Sequence, residues 1–154
     1  MPGQKILLPY NFTDIDRKAL DFIIRTFARQ EGNHLSLFHT YTPLPKIETD
    51  SGTVMTKLKA SLQYLSEELR KKEADLENTR QYLIENGFPP GSVEYIFTER
   101  TQDIADEIIK TAVKGSFDVV VLSYKPERVT RFYKKSAHNK VVSSLRSTAI
   151  CIVT

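Results

Sequence analysis

Cysteine is almost absent: Cys151 is the only one among 154 residues. An internal disulfide is therefore impossible, and a structural zinc site built from cysteines is excluded. Long apolar runs are missing as well. No stretch approaches the roughly 20 residues that a membrane span requires, and Met1-Pro2-Gly3-Gln4 shows no basic patch leading into an apolar segment. These features suit a cytoplasmic protein in a reducing compartment, with no membrane partner. Glycine is scarce, with six residues in all. No GxxxxGKS/T loop, GxSxG elbow or HExxH helix is present, and His34, His39 and His138 are scattered along the chain. A catalytic or metal-binding reading therefore lacks its residues, and the expectation is of a protein that is no enzyme and holds no metal.

Net charge is also small, +3, which argues against a nucleic-acid partner. Its placement is uneven. Between Tyr124 and Ser147 seven basic residues (Lys125, Arg128, Arg131, Lys134, Lys135, Lys140 and Arg146) accompany one acid, Glu127, so this stretch carries +6 and the rest of the chain −3. A positive segment on a mildly acidic body is either solvated surface or a local anion site.

Hydrophobic residues make up 40% and charged residues 27%, as in an ordinary globular domain, and the length suits one domain over residues 1–154. Lys5 to Pro9 reads as a strand buried on both faces. Thr13 with Asp16 imitates a capping box, and Ala19, Leu20, Ile23, Ile24, Phe27 and Ala28 recur at helical spacing before Gly32. Leu35 to Tyr41 returns to strand character. Thr53 to Asn86 forms a long helix that ends at Gly87. Its leucines 62, 69, 76 and 83 keep heptad spacing, but Lys72 and Thr79 interrupt the alternate seam positions. The pattern predicts a helix whose first half packs on the sheet and whose second half is solvated. Val93 to Thr98 is a third strand. Thr101 then caps a helix with Ile104, Ile108, Ile109, Ala112 and Val113 as its stripe. Phe117 to Ser123 is the strongest strand. A last helix over Ala137 to Arg146, with Val141, Val142 and Leu145 inward, leads to a final strand from Ala149 to Thr154. Strands alternating with helices specify an α/β class, an open doubly wound, mainly parallel five-stranded sheet with helices on both faces. In such sheets ligands sit at the carboxyl ends of the strands where the strand order reverses.

Lys5-Ile6-Leu7-Leu8-Pro9 followed by Asn11, Leu35-Ser36-Leu37-Phe38-His39, Phe117 to Ser123 and the closing Ser147 to Val153 together resemble the universal stress protein family over essentially the whole chain. The resemblance implies a sheet ordered 3-2-1-4-5, a stress-response role and a homodimer paired through the fifth strands. Ile150, Cys151, Ile152 and Val153 are the candidate interface, and an apolar edge strand with almost no charge does need a cover. Other protein partners fit a role exercised through contacts.

Nucleotide-binding members carry a GxxG pair after the fourth strand and a Gly followed by Ser or Thr about ten residues later. Ser123 and Pro126 stand at the first pair here, Ser136 and Ala137 at the second, and Asn11 replaces the family's aspartate after the first strand. Holding a non-glycine residue in the left-handed region costs about 1–2 kcal/mol, and Pro126 has no N–H to offer. The expectation is weak or absent ATP binding by backbone donors, with no cofactor. The alternative is a nucleotide- or anion-responsive module, possible for ATP or another phosphate ligand with slow hydrolysis. There Lys125, Arg128 and Arg131 replace the backbone donors and Tyr10 stacks on a base, beside Pro9 and Asn11. A response-regulator receiver domain is the rival fold, but Val93 to Thr98 ends without the aspartate that domain needs.

Overall fold

Lys5–Pro9 forms β1, and its centre is buried on both sides as its apolar run predicts: Ile6, Leu7 and Leu8 are each 0% exposed. The structure, a computed structural model, describes residues 3–44, 52–124 and 134–154, with the backbone alone at 52, 53, 55 and 134–136. After β1 follow α1 (Asp14–Phe27), β2 (His34–Tyr41), α2 (Gly52–Glu85), β3 (Val93–Glu99), α3 (Ile104–Lys114), β4 (Val119–Ser123), α4 (Lys134–Ser144) and β5 (Ala149–Val153). The strands make one sheet of order β3-β2-β1-β4-β5, and every pairing is parallel.

Strand alternation sorts the core into two layers. Ile6, Leu8, Val119 and Val121 face α1 and α2, where Leu20, Ile23, Leu76 and Leu83 meet them. Leu7, Val120 and Leu122 face α3 and α4, against Ile108, Ala112, Val141 and Leu145. The capping box of α1 is complete: the Thr13 side chain accepts from the Asp16 N–H while the Asp16 carboxylate reaches back to the Thr13 N–H. Gly87 closes α2 with a φ of +120°, a conformation open to glycine.

The long helix packs in the opposite sense to the expectation. Its second half is the buried one, with Leu76 and Leu83 at 0% exposure, while Val54 is 64% exposed and Leu58 and Leu65 are each 38% exposed. Geometry explains the reversal. Thirty-four residues at 1.5 Å each span about 51 Å, far more than any strand here. The end that must lie beside the sheet is the one that turns directly into β3. The two polar seam positions are accommodated there, since Thr79 donates its hydroxyl to the Asp75 carbonyl at 2.8 Å and the Lys72 ammonium sits 4.8 Å from the centre of the Phe12 ring.

Three smaller readings are corrected. The cap of α3 is Asp103, whose carboxylate accepts from the Asp106 N–H at 2.8 Å. Thr101 instead donates its N–H and its hydroxyl to Glu107, each at 3.0 Å. Val113 and Val142 are 66% and 48% exposed, so neither belongs to the inward stripe. The last helix begins at Lys134 and ends at Ser144, with Val141 and Leu145 buried. Gly115 is the C-cap of α3, its N–H donating to the Thr111 carbonyl at 2.9 Å, and Ser116 beyond it has a φ of 52°.

The layer assignment gives a direct test. Leu76→Ala should lower the unfolding free energy by about 2–5 kcal/mol, whereas Leu58→Ala should change it by less than about 0.5 kcal/mol. Urea unfolding of the two variants beside the parent checks the difference.

Candidate functional site

The strand order reverses between β1 and β4, and a cavity of about 730 Å³ opens at their carboxyl ends. Such a volume lies within the roughly 300–1,000 Å³ of small-molecule sites. Pro9, Asn11, Thr13 and Asp14 line one side of it. Ile104, Ala105 and Ile108 of α3 line another, and Leu122, Ser123 and Tyr124 form the end of β4, with Ala137, His138 and Val141 of α4 beyond.

The lip over β1 is built by one buried carboxylate. Asp16, 4% exposed, accepts from the Asn11 N–H at 2.9 Å, the Thr13 N–H at 3.2 Å and the Thr13 hydroxyl at 2.8 Å through the same oxygen. These bonds hold the turn between β1 and α1 and leave Phe12 with a φ of 61°. On the opposite wall His138 donates from Nε2 to the Ser123 carbonyl at 3.0 Å, and its ring stands edge-on to Tyr124 with centroids 5.2 Å apart. Lys140 bridges α4 to the first turn of α3 through Asp103 at 3.2 Å and Asp106 at 2.8 Å. One of the seven basic residues is thereby engaged in joining two helices.

Of the residues singled out from the sequence, the structure brings Pro9, Asn11, Ser123 and Ala137 together around the cavity. Ser136 lies in the first turn of α4, with its side chain outside the described residues. Lys125, Arg128 and Arg131 lie wholly outside them. Tyr10 is misplaced by the sequence reading. Alternation along β1 turns it toward α1 and α2, where it is 4% exposed and packed with Ile6 and Leu8. There it lines a second, separate hollow with Arg17, Asp75 and Thr79. Burial pushes its phenol above the usual range, with a hydrogen bond to the Thr79 side chain opposing the shift. A ring so placed cannot stack on a ligand in the first cavity.

The α3 wall was read from the sequence only as core stripe. Nothing in the spacing of Ile104, Ala105 and Ile108 separates residues that cover the sheet from residues that border an opening. Among the described lining residues the ionisable side chains are Asp14, Asp16, Tyr124 and His138, and none is a lysine or arginine. No group of three or more His, Cys, Asp or Glu suited to a metal ion occurs among the described residues.

At the sheet's far edge β5 pairs with β4 alone. Ala149 and Ile152 are exposed, the latter at 49%, while Ile150, Cys151 and Val153 are half-buried. Cys151 is half-buried rather than enclosed. No helix among the described residues is long and apolar enough to cross a membrane.

The profile of the universal stress protein family matches residues 3–148. No curated protein matches the chain. Among solved structures, universal stress protein UspA from Lactobacillus plantarum aligns with a TM-score of 0.69 at 15% identity, covering 100% of this chain and 99% of that one. A universal stress protein from Archaeoglobus fulgidus in complex with dAMP gives a TM-score of 0.62 at 14% identity, over 99% of this chain and 98% of that one. A universal stress protein in complex with cAMP gives 0.62 at 12% identity, with the same coverages of 99% and 98%. Likeness at these identities speaks for the fold.

His39 supplies a pH test of the packing behind the lip. Its Nδ1–H donates to the Tyr10 carbonyl at 2.9 Å and its ring stacks on Phe97 with centroids 5.9 Å apart. Burial holds the imidazole below its usual range, the bond to Tyr10 opposes that, and Lys72 and Arg100 reinforce it. The unfolded chain therefore takes up this proton first. Stability should fall as pH drops below about 6.5 toward the lower folded value. His39→Gln should show a smaller loss between pH 7.5 and pH 5.5 than the parent, read as the shift in urea midpoint.

Proposed function

The chain belongs to the universal stress protein family, and from that premise we propose that it is a non-catalytic stress-response protein whose switch-point cavity takes a nucleoside or nucleoside monophosphate. The observation that carries this is the cavity itself, about 730 Å³ at the carboxyl ends of β1 and β4. Its walls of Ile104, Ile108, Leu122 and Val141 suit a flat, largely apolar ring, with a few polar groups at the strand ends. Two of the similar structures are complexes with dAMP and cAMP, ligands that each carry a single phosphate.

A triphosphate is a poorer fit. The glycines that would let the backbone wrap phosphates are replaced by Ser123, Pro126 and the Ser136-Ala137 pair. Each left-handed non-glycine residue would cost about 1–2 kcal/mol, against about 0.3–1 kcal/mol returned by an exposed helix N-terminus. The described wall adds carboxylates rather than cations. Charge for one phosphate is available in sequence immediately after Tyr124, from Lys125, Arg128 and Arg131.

Two further observations support the rest of the reading. The sequence carries no GxSxG elbow, GxxxxGKS/T loop or HExxH helix, so a nucleophilic or metal-assisted reading lacks its usual residues. The open side of β5, with Ile152 half in solvent, suits pairing with a second copy of the strand about a twofold axis.

Calorimetric titration tests the ligand class. Adenosine and AMP should bind within about tenfold of one another, a difference of no more than about 1.4 kcal/mol, and ATP should bind no more tightly than AMP. Ala137→Trp, which fills the cavity from α4, should remove binding of all three. ATP held far more tightly than AMP, or no binding of any of them, would overturn the reading.

A further inference from the structure

Four leucines of α2 stand outside the core. Leu58, Leu62, Leu65 and Leu69 follow one another at intervals of four, three and four residues, the spacing of a coiled-coil seam. Leu58 and Leu65 are each 38% exposed, Leu62 and Leu69 are half-buried, and none of the four belongs to or packs against either buried cluster of the described residues. The same stripe continues through Lys72 to Leu76 and Leu83, which the sheet covers. One seam thus meets two different fates along a single helix. Residues 54–71 span about 27 Å at 1.5 Å each, and a helical stretch of that length gains most of its stability from packing an apolar face.

A second copy of the same segment fits this stripe in one orientation. Parallel pairing would carry the seam on through Leu76 and Leu83, a side of the helix that each copy's own sheet already occupies. It would also set Glu68 of each copy against Glu73 of the other at the positions flanking the seam. Antiparallel pairing places Leu62 opposite Leu65 and Leu58 opposite Leu69, and sends the two sheets to opposite ends of the shared segment. Across the flanks Lys59 then faces Ser66 and Ser61 faces Glu68, so no like charges are opposed. The Lys57 and Lys59 end of one helix lies level with the Glu67 and Glu68 end of the other.

We propose that the first half of α2 is a self-association surface, at which residues 58–69 of two copies pair as an antiparallel helical zipper. It is separate from the open side of β5. That strand lies at the edge of the sheet beyond β4, whereas α2 packs on β3 and β2 at the other end. Where both surfaces are used, two different twofold contacts build a tetramer or a longer array instead of stopping at a dimer.

Sedimentation equilibrium on Ile152→Glu, which blocks the edge of β5, isolates the helix surface. This variant should still dimerise as its concentration rises. Adding Leu62→Glu and Leu65→Glu should weaken that dimer by more than about a hundredfold, because carboxylates from both copies would be buried together. In dilute solution the triple variant should keep the urea midpoint of Ile152→Glu, since the two leucines lie outside the core. Orientation is read from Ser61→Cys and Glu68→Cys combined in a Cys151→Ser background: oxidation should give a covalent dimer that neither new cysteine gives alone. Within one helix these positions are about 10 Å apart, beyond the reach of a disulfide. If the parent dimerises and Ile152→Glu stays monomeric at every concentration, the helix surface is refuted and the β5 pairing stands. A monomeric parent refutes both. Dimers that tolerate the two glutamates, or that are lost only together with a fall in the urea midpoint, overturn the zipper, and covalent dimers formed as readily by either single cysteine overturn its antiparallel arrangement.

Discussion

Ile6, Leu7 and Leu8 expose no surface on either face of β1, and a strand in that position can exist only inside a sheet with a helix layer above and below it. The chain meets this requirement by spending its first two crossovers on one side. α1 and α2 cover Ile6 and Leu8 while β2 and β3 extend the sheet outward. The remaining face, with Leu7 at its centre, then has to be covered by α3 and α4, and right-handed crossovers send β4 to the other flank of β1. Where the two directions diverge, no connection fills the space above the strand ends. The cavity is thus a consequence of burying three consecutive apolar residues, before any ligand is considered.

What gives that opening a defined rim is the turn after β1. Asp16 draws the N–H groups of Asn11 and Thr13 and the Thr13 hydroxyl onto one oxygen, and Phe12 between them is left in the left-handed region. For a bulky residue that conformation costs roughly 1–2 kcal/mol. Packing offsets it, since the Phe12 ring lies 4.9 Å from Tyr10 and 5.5 Å from His39, with the Lys72 ammonium over it. The same aromatic group ties the rim to the part of α2 that is buried. A helix segment read as solvated therefore helps to support the site.

Much of this was legible in the residues. Continuous apolar runs at Lys5 to Pro9 and Phe117 to Ser123 identified the central strands, and the Thr13 and Asp16 spacing identified the start of α1. Together with the likeness to a known family, these gave the strand order. The errors have a common cause. Heptad spacing in α2 reports which face is apolar but not which end of a helix longer than the sheet lies against it, so the buried half was assigned in reverse. Val113 and Val142 were counted inward because apolar character was taken for burial, although both lie outside the two buried clusters. Tyr10 was placed in the ligand site because it follows β1 directly. The period of two along that strand, carried one residue further, would have turned it toward α1. Residues of the α3 wall could not be told from ordinary core, because a cavity is defined by what does not meet it, and that is a property of the assembled layers.

Two separable contributions to nucleotide binding emerge from the fold and the sequence. Topology supplies the space, through strands that diverge at a switch point, and needs only apolar crossovers of the right hand. Glycine-rich turns supply phosphate affinity by letting N–H groups approach, and they depend on particular residues at particular positions. This chain retains the first, with an apolar wall and an acidic rim, and has Ser123, Pro126 and Ser136-Ala137 where the second would be. With fewer backbone donors for phosphates, the site we propose would discriminate through the ring and sugar of its ligand.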